Sequence, residues 1–113
     1  KIIVSQLLNR TEDEYYVLAT KESLYNTSYI EFNYVNIYKE YINKYLNKEN
    51  PLPFYYVDLD SALNKKYISD EVNITNEISN IKINDEILFK IKDNKIERYY
   101  IGKDKIIDKL SRL

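Results

Sequence analysis

Hydrophobic and polar positions divide this 113-residue chain into stretches of two different periods. Residues 2–8, Ile-Ile-Val-Ser-Gln-Leu-Leu, form a short apolar opening that suits either a helical turn or a strand. After the polar break Thr11–Glu14, the run Tyr-Tyr-Val-Leu-Ala at 15–19 is continuous and β-favouring, the pattern of a strand covered on both faces. From Ser28 to Lys48 the period lengthens. At about 100° per residue, Ile30, Tyr34, Val35, Ile37, Tyr38, Tyr41, Ile42, Tyr45 and Leu46 fill one half of a helical wheel. Asn33, Asn36, Lys39, Glu40, Asn43, Lys44 and Asn47 fill most of the other half, so the helix is expected to lie flat on a sheet. Ser28 and Glu31 have capping-box spacing at its start, and Pro51 and Pro53 end it.

The second half repeats the alternation. Phe54–Leu59 reads as another buried strand, followed by a short helix over Ala62, Leu63, Lys66 and Tyr67 that Asp60 or Ser61 caps. Residues 69–80 lack a clear period and are expected to form a loop with room for one turn. Glu86–Lys92 alternates, with Ile87, Phe89 and Ile91 on one face. Asp93-Asn94 then suits a two-residue hairpin turn, because both residue types tolerate positive φ. Lys95–Ile101 returns as an antiparallel strand. Gly102, the only glycine, follows where the chain must turn, and Asp104 is expected to cap a last helix with the stripe Ile106, Ile107, Leu110 and Leu113. The predicted fold is α/β: a β-α-β unit followed by β-β-α, giving one mixed sheet with helices on both faces.

Composition fits one domain with an ordinary core, since 44% of residues are hydrophobic and only two are proline. It also removes most familiar chemistry. Without cysteine there is no thiolate nucleophile, redox pair or thiolate metal site, and without histidine the commonest general base near neutral pH is gone. Seventeen basic and eighteen acidic residues nearly cancel, without large polarity between the halves, so nucleic-acid binding is not expected. The joint richness in Ile, Lys, Asn and Tyr matches the codon usage of an AT-rich genome, so thirteen tyrosines are not in themselves a sign of a binding site. Asn-x-Ser/Thr triplets start at Asn9, Asn26 and Asn73, a number near chance for a chain this rich in asparagine. No apolar run approaches the roughly 20 residues that span a bilayer. The chain opens on Lys1 rather than Met, which reads as a trimmed or processed start, with residues 1–10 as an extension downstream of a removed anchor or signal.

The order of elements, with Tyr15–Ala19, Phe54–Asp60 and Glu86–Leu113 as landmarks, resembles the thioredoxin-like fold across about residues 10–113. Ile87-Leu-Phe-Lys-Ile-Lys-Asp-Asn-Lys-Ile-Glu-Arg-Tyr-Tyr-Ile-Gly102 is similar to that family's penultimate strand, turn, last strand and glycine before the closing helix. Tyr-Tyr-Val-Asp-Leu-Asp at 55–60 is similar to the second core strand of its small bacterial members. The resemblance implies a Cys-x-x-Cys pair where Ser23, Leu24, Tyr25 and Asn26 stand, and a cis-proline where Asp85 and Glu86 stand. Serine cannot cycle through a disulfide, so the implied member is redox-inactive, with no cofactor.

The residues that carry candidate chemistry each have a plainer role beside the functional one. Ser23 or Ser28 at the positive end of the long helix suits an anion or an activated hydroxyl, yet no histidine supplies a base, and capping accounts for both. Asp58 and Asp60, with Asp85 and Glu86 nearby, offer oxygen ligands for Ca²⁺ but lack an EF-hand-like loop. Tyr34, Tyr38, Tyr41 and Tyr45 form a row that suits an aromatic platform or, more simply, core packing. Leu24, Tyr25 and Tyr29 fall outside the apolar half-wheel and are the expected interaction surface. The sequence expectation is therefore a non-enzymatic, protein-binding accessory domain, extracytoplasmic and tethered in a bacterial envelope, with a carboxylate ligand- or Ca²⁺-binding domain as the alternative and cytoplasmic as the alternative location.

Overall fold

The computed structural model describes residues 2–21 and 30–113, with backbone alone for residues 30–37. Strands β1 (Glu14–Thr20), β2 (Phe54–Asp58), β3 (Ile87–Lys92) and β4 (Lys95–Ile101) form one sheet, ordered β2-β1-β3-β4. Helix α1 (Ile30–Leu46) connects β1 to β2, and helix α2 (Lys103–Ser111) follows β4. β1 runs parallel to β2 with Tyr16 opposite Phe54 and Thr20 opposite Asp58. It runs antiparallel to β3 on its other side, with Val17 opposite Phe89. The expected pairing of residues 15–19 with 54–59 is thus adjacent and parallel.

β1 is central, and Tyr15 to Ala19 are all buried. Side chains alternate across a strand, so this run feeds two cores. Tyr15, Val17 and Ala19 join Val57, Ile87, Phe89 and Ile91 on one face. Tyr16, Leu18 and Leu88 lie on the other, under Tyr38 and Ile42 of α1 and Ile106 and Leu110 of α2. Both regular helices therefore share a face. The opposite face is covered by extended chain and three 3-10 turns, Val4–Gln6, Ala62–Tyr67 and Ile78–Asn80. The short helix expected over residues 62–67 is a 3-10 helix on this second face, and no long helix joins it among the described residues, because residues 59–84 lack a 3.6-residue apolar period and cannot offer a long stripe to the sheet.

Ile2, Val4 and Leu7 of the opening segment belong to the core. Ile2 pairs as a parallel bridge with Val57 along the outer edge of β2, its N–H donating to the Tyr56 carbonyl at 2.8 Å. Val4 and Leu7 are buried, and the Tyr15 hydroxyl donates to the Leu7 carbonyl at 2.7 Å. Asn64, fully buried, ties this segment to the sheet end. Its Oδ1 accepts from Val4 N–H at 2.8 Å, and its Nδ2 donates to the Asp58 carbonyl at 2.7 Å.

Turn chemistry follows the sequence closely, with two adjustments. Asp93 and Asn94 take φ of 52° and 62°, the paired positive values of a type I′ hairpin. Ser61 caps the 3-10 turn, accepting from Leu63 N–H at 3.3 Å, so of the two residues considered Ser61 is the cap. Asp104 lies in the first turn of α2 rather than at its cap; the cap is Gly102, which has no side chain to bond with. Ser28 of the expected capping box lies outside the described residues.

Asn64→Ala leaves the buried Val4 amide without its acceptor and takes from the Asp58 carbonyl the shorter of its two bonds, the other coming from Ser61 N–H at 3.2 Å. The expected loss is about 3 kcal/mol of unfolding free energy, read by urea denaturation; a change below about 1 kcal/mol would show that water or rearrangement replaces both bonds.

Candidate functional site

Parallel strands β1 and β2 end together, at Thr20 and Asp58. β3 begins opposite Ala19, so Asp85 and Glu86 reach the same end of the sheet, and Gly102 follows β4 there. Residues 22–29 connect this end to α1. Ser23, Leu24, Tyr25, Asn26, Ser28 and Tyr29 therefore all lie outside the described residues, and the structure speaks to the frame around them.

One part of that frame is Glu86. It is buried, and its Oε1 lies 3.3 Å from the Tyr38 hydroxyl of α1. Its backbone is held from both directions: the carbonyl accepts from Gly102 N–H at 2.9 Å, and the N–H donates to Asp85 Oδ1 at 2.7 Å. Gly102 sits at φ +92°, where a side chain is strained, although an added Cβ would meet only Asp85 Oδ2 at an ordinary 3.7 Å. No described peptide bond is cis, including that between Asp85 and Glu86.

Asp58 and Asp60 belong to a separate corner. Asp58 Oδ1 accepts from Asp60 N–H at 2.9 Å, closing an Asx turn, while its carbonyl is held by Asn64. A shallow cavity of about 230 Å³ beside them is lined by Ile2, Ile3, Gln6, Asp58, Ser61, Leu63 and Asn64. The order β2-β1-β3 keeps Asp58 and Glu86 two strand spacings apart, roughly 9–10 Å. Among the described residues no three acidic side chains are grouped to hold a metal ion.

The tyrosine row is largely inside. Tyr38 is buried, and Tyr41 and Tyr45 pack against the helix-covered core. Tyr45 meets Tyr16 and Phe54 edge-on at 6.1 and 5.8 Å, and its hydroxyl accepts from Leu52 N–H at 2.6 Å. The side chain of Tyr34 is not among those described.

A further cluster, near the start of β1 and β2, has no motif that marks it in the sequence. The Tyr55 hydroxyl donates to the Glu12 carboxylate, at 2.7 Å to Oε2 and in closer contact with Oε1. The Arg10 guanidinium lies 5.5 Å over the Tyr55 ring, and Tyr15 meets that ring edge-on at 5.4 Å. The Tyr55 bond holds the Glu12 carboxyl below its usual 4.5, against the opposing effect of desolvation, and raises the Tyr55 phenol. Across the sheet, Lys90 bonds Glu97 at 2.9 Å and Glu14 at 3.0 Å, which lowers the Glu97 carboxyl below 4.5.

Searches of protein-family models, of curated proteins and of solved structures return no match to this chain. The fold and the described surface define a small α/β domain built on a four-stranded mixed sheet. Among the described residues, no helix is long and apolar enough to cross a membrane.

Two outcomes follow from this geometry. Gly102→Ala should cost about 1–3 kcal/mol through backbone strain at φ 92° and ψ 153°, a region used essentially by glycine alone, measured as a shift in the urea midpoint; an unchanged midpoint would mean that the turn relaxes. Glu12 and Glu97 have folded pKa values below 4.5, so each contributes stability above that value and loses it as pH falls through the folded pKa. The thermal midpoint is expected to drop on acidification from about pH 6 to below 4, and to drop less in the Glu12→Gln/Glu97→Gln variant. An equal drop in both proteins would assign the acid sensitivity to other groups.

Proposed function

We propose that this chain is a redox-inactive, thioredoxin-like accessory domain. On this reading it engages a protein partner in extended conformation at the C-terminal end of its parallel strands. The observation that carries the reading is the sheet itself: a parallel β-α-β pair beside an antiparallel hairpin, in the order β2-β1-β3-β4, with a helix after the last strand. A β-α-β unit followed by β-β-α around one mixed sheet supports this reading. In α/β sheets ligands gather at the carboxyl ends of the strands, and here that end carries Thr20, Asp58 and the Glu86 corner.

The absence of cysteine from all 113 residues removes thiol–disulfide exchange from the proposal. What remains is contact. Leu24, Tyr25 and Tyr29 fall in the connection between β1 and α1, and large amphipathic side chains of this kind supply binding energy without chemistry. Tethering outside the cytoplasm, in a bacterial envelope, belongs to the same proposal.

The test is binding of a library of unstructured, fluorescently labelled peptides, followed by anisotropy. The Leu24→Ala/Tyr25→Ala variant should weaken the best binder about tenfold, with its thermal midpoint within about 2 °C of the parent. Undiminished binding in that variant, or no peptide bound by the parent chain, removes the reading.

A further inference from the structure

The two edges of the sheet are treated differently. Ile2 covers part of the β2 edge through its bridge to Val57, whereas among the described residues β4 has no strand on its outer side. Gly102 donates inward to the Glu86 carbonyl, so by antiparallel alternation Tyr100 faces β3 while Tyr99 and Ile101 turn their backbone groups outward. Ile96 also faces outward, its N–H donating to Asn76 Oδ1 at 2.8 Å.

A bulge sets the side-chain pattern along this edge. Lys90 pairs with Arg98 and Ile91 with Ile96, which leaves Glu97 as the extra residue. Ile96 and Tyr99 therefore fall on one face, opposite Ile91 and Phe89. Lys95, Arg98 and Tyr100 fall on the other, opposite Lys92, Lys90 and Leu88, and Glu97 joins them through its bond to Lys90. Read outward from the Glu97–Arg98 junction, the facing pattern is the same in both directions.

We propose that the β4 edge is a self-association surface on which a second copy of this chain adds its own β4 antiparallel, with Glu97 of each copy opposite Arg98 of the other. In this register Ile96 and Tyr99 are also opposite each other, both outward-facing and on the same side of the sheet. Tyr99 is 48% exposed. The tyrosine of the second copy enters a groove of about 380 Å³, lined by Ile74, Thr75, Asn76, Ile96 and Tyr99 among others. Charge complementarity selects this occupant. Glu97 Oε1 is engaged by Lys90, leaving Oε2 for a second cation, and Arg98 has no ion-pair partner among the described residues. Shifting the register by one places Arg98 opposite Arg98 or Glu97 opposite Glu97, which like-charge repulsion disfavours. Asn76 opposes the association by occupying the Ile96 amide.

The contact is small, so a weak dimer is expected, visible by sedimentation equilibrium between roughly 10 µM and 1 mM. The apparent mass should climb from 13.6 kDa toward twice that value. The amide of Tyr99 should exchange more slowly as concentration rises. Arg98→Glu and Glu97→Arg each weaken association about tenfold or more; the Glu97→Arg/Arg98→Glu exchange recovers most of it, which separates pairing from damage to the fold. Asn76→Ala, by releasing the Ile96 amide, tightens it. A protein that stays at 13.6 kDa throughout overturns the proposal, as does failure of the charge exchange to rescue, or a parent chain that binds peptides along β4 without dimerising.

Discussion

Burial of β1 on both of its faces is the constraint to which the remaining structure answers. Five consecutive residues, Tyr15 to Ala19, are removed from water, and alternation sends them into two separate cores. Neither core closes with the sheet alone. One requires a helical roof, supplied by Tyr38 and Ile42 of α1 and by Ile106 and Leu110 of α2. The other draws on residues far apart in sequence, from Ile2, Val4 and Leu7 at one end to Tyr67, Ile81 and Ile83. The large apolar area involved makes hydrophobic burial the main organising force, with hydrogen bonds fixing which segment covers which. Asn64 does this for the N-terminal segment: its one amide holds both Val4 and Asp58, coupling the cover of the second core to the end of the parallel pair.

The asymmetry of the two covers has a local cause. α1 sets Tyr38, Tyr41, Ile42 and Tyr45 against a sheet face, and α2 adds a short stripe beside them. Between Leu59 and Asn84 the apolar residues Tyr67, Ile74, Ile78, Ile81 and Ile83 are too irregularly spaced for one helical face. They reach the core singly, from 3-10 turns and extended chain. Backbone groups freed by the lack of a long helix are satisfied piecemeal, through Ser69 N–H to Ile83, Ile83 N–H to Tyr67, and the paired bonds of Asn73 with Lys82.

What was legible in the sequence was whatever depends on nearest neighbours. The β1 run, the Asp93-Asn94 turn, the positive-φ glycine and the α2 stripe are local patterns, and each has its expected place. The parallel pairing of β1 with β2 was also legible, because a long helix between two strands leaves few other connections. Less was legible where one side chain acts across distance. Asn64 reads as a surface residue in any window around it, since its partners lie 60 positions earlier and on a backbone carbonyl. Glu86 reads as the polar lead-in to a strand, and only the arrival of α1 brings Tyr38 to it. Likewise Glu12 and Tyr55 are 43 residues apart and belong to no motif. The carboxylates Asp58 and Glu86 were placed correctly at one end of the sheet, but the intervening β1 holds them in separate corners.

Because packing consumes both faces of β1 at the centre of the sheet, its ends and edges remain for contact with other molecules. The chain meets these two kinds of surface with different means. At the carboxyl end of the parallel strands, backbone direction gathers Thr20, Asp58 and the Glu86 corner on one rim. At the β4 edge, outward-turned backbone groups exist whatever the side chains are, and charge decides who is allowed to use them. Lys95, Glu97 and Arg98 repel a neutral apolar strand by the desolvation it would impose on them, while Glu97 and Arg98 together favour a strand that carries the same pair reversed. A protective edge and a selective one can thus be the same edge. The distinction lies in whether the charges find partners, and on β4 the bulge that sets Glu97 beside Arg98 makes the strand its own complement.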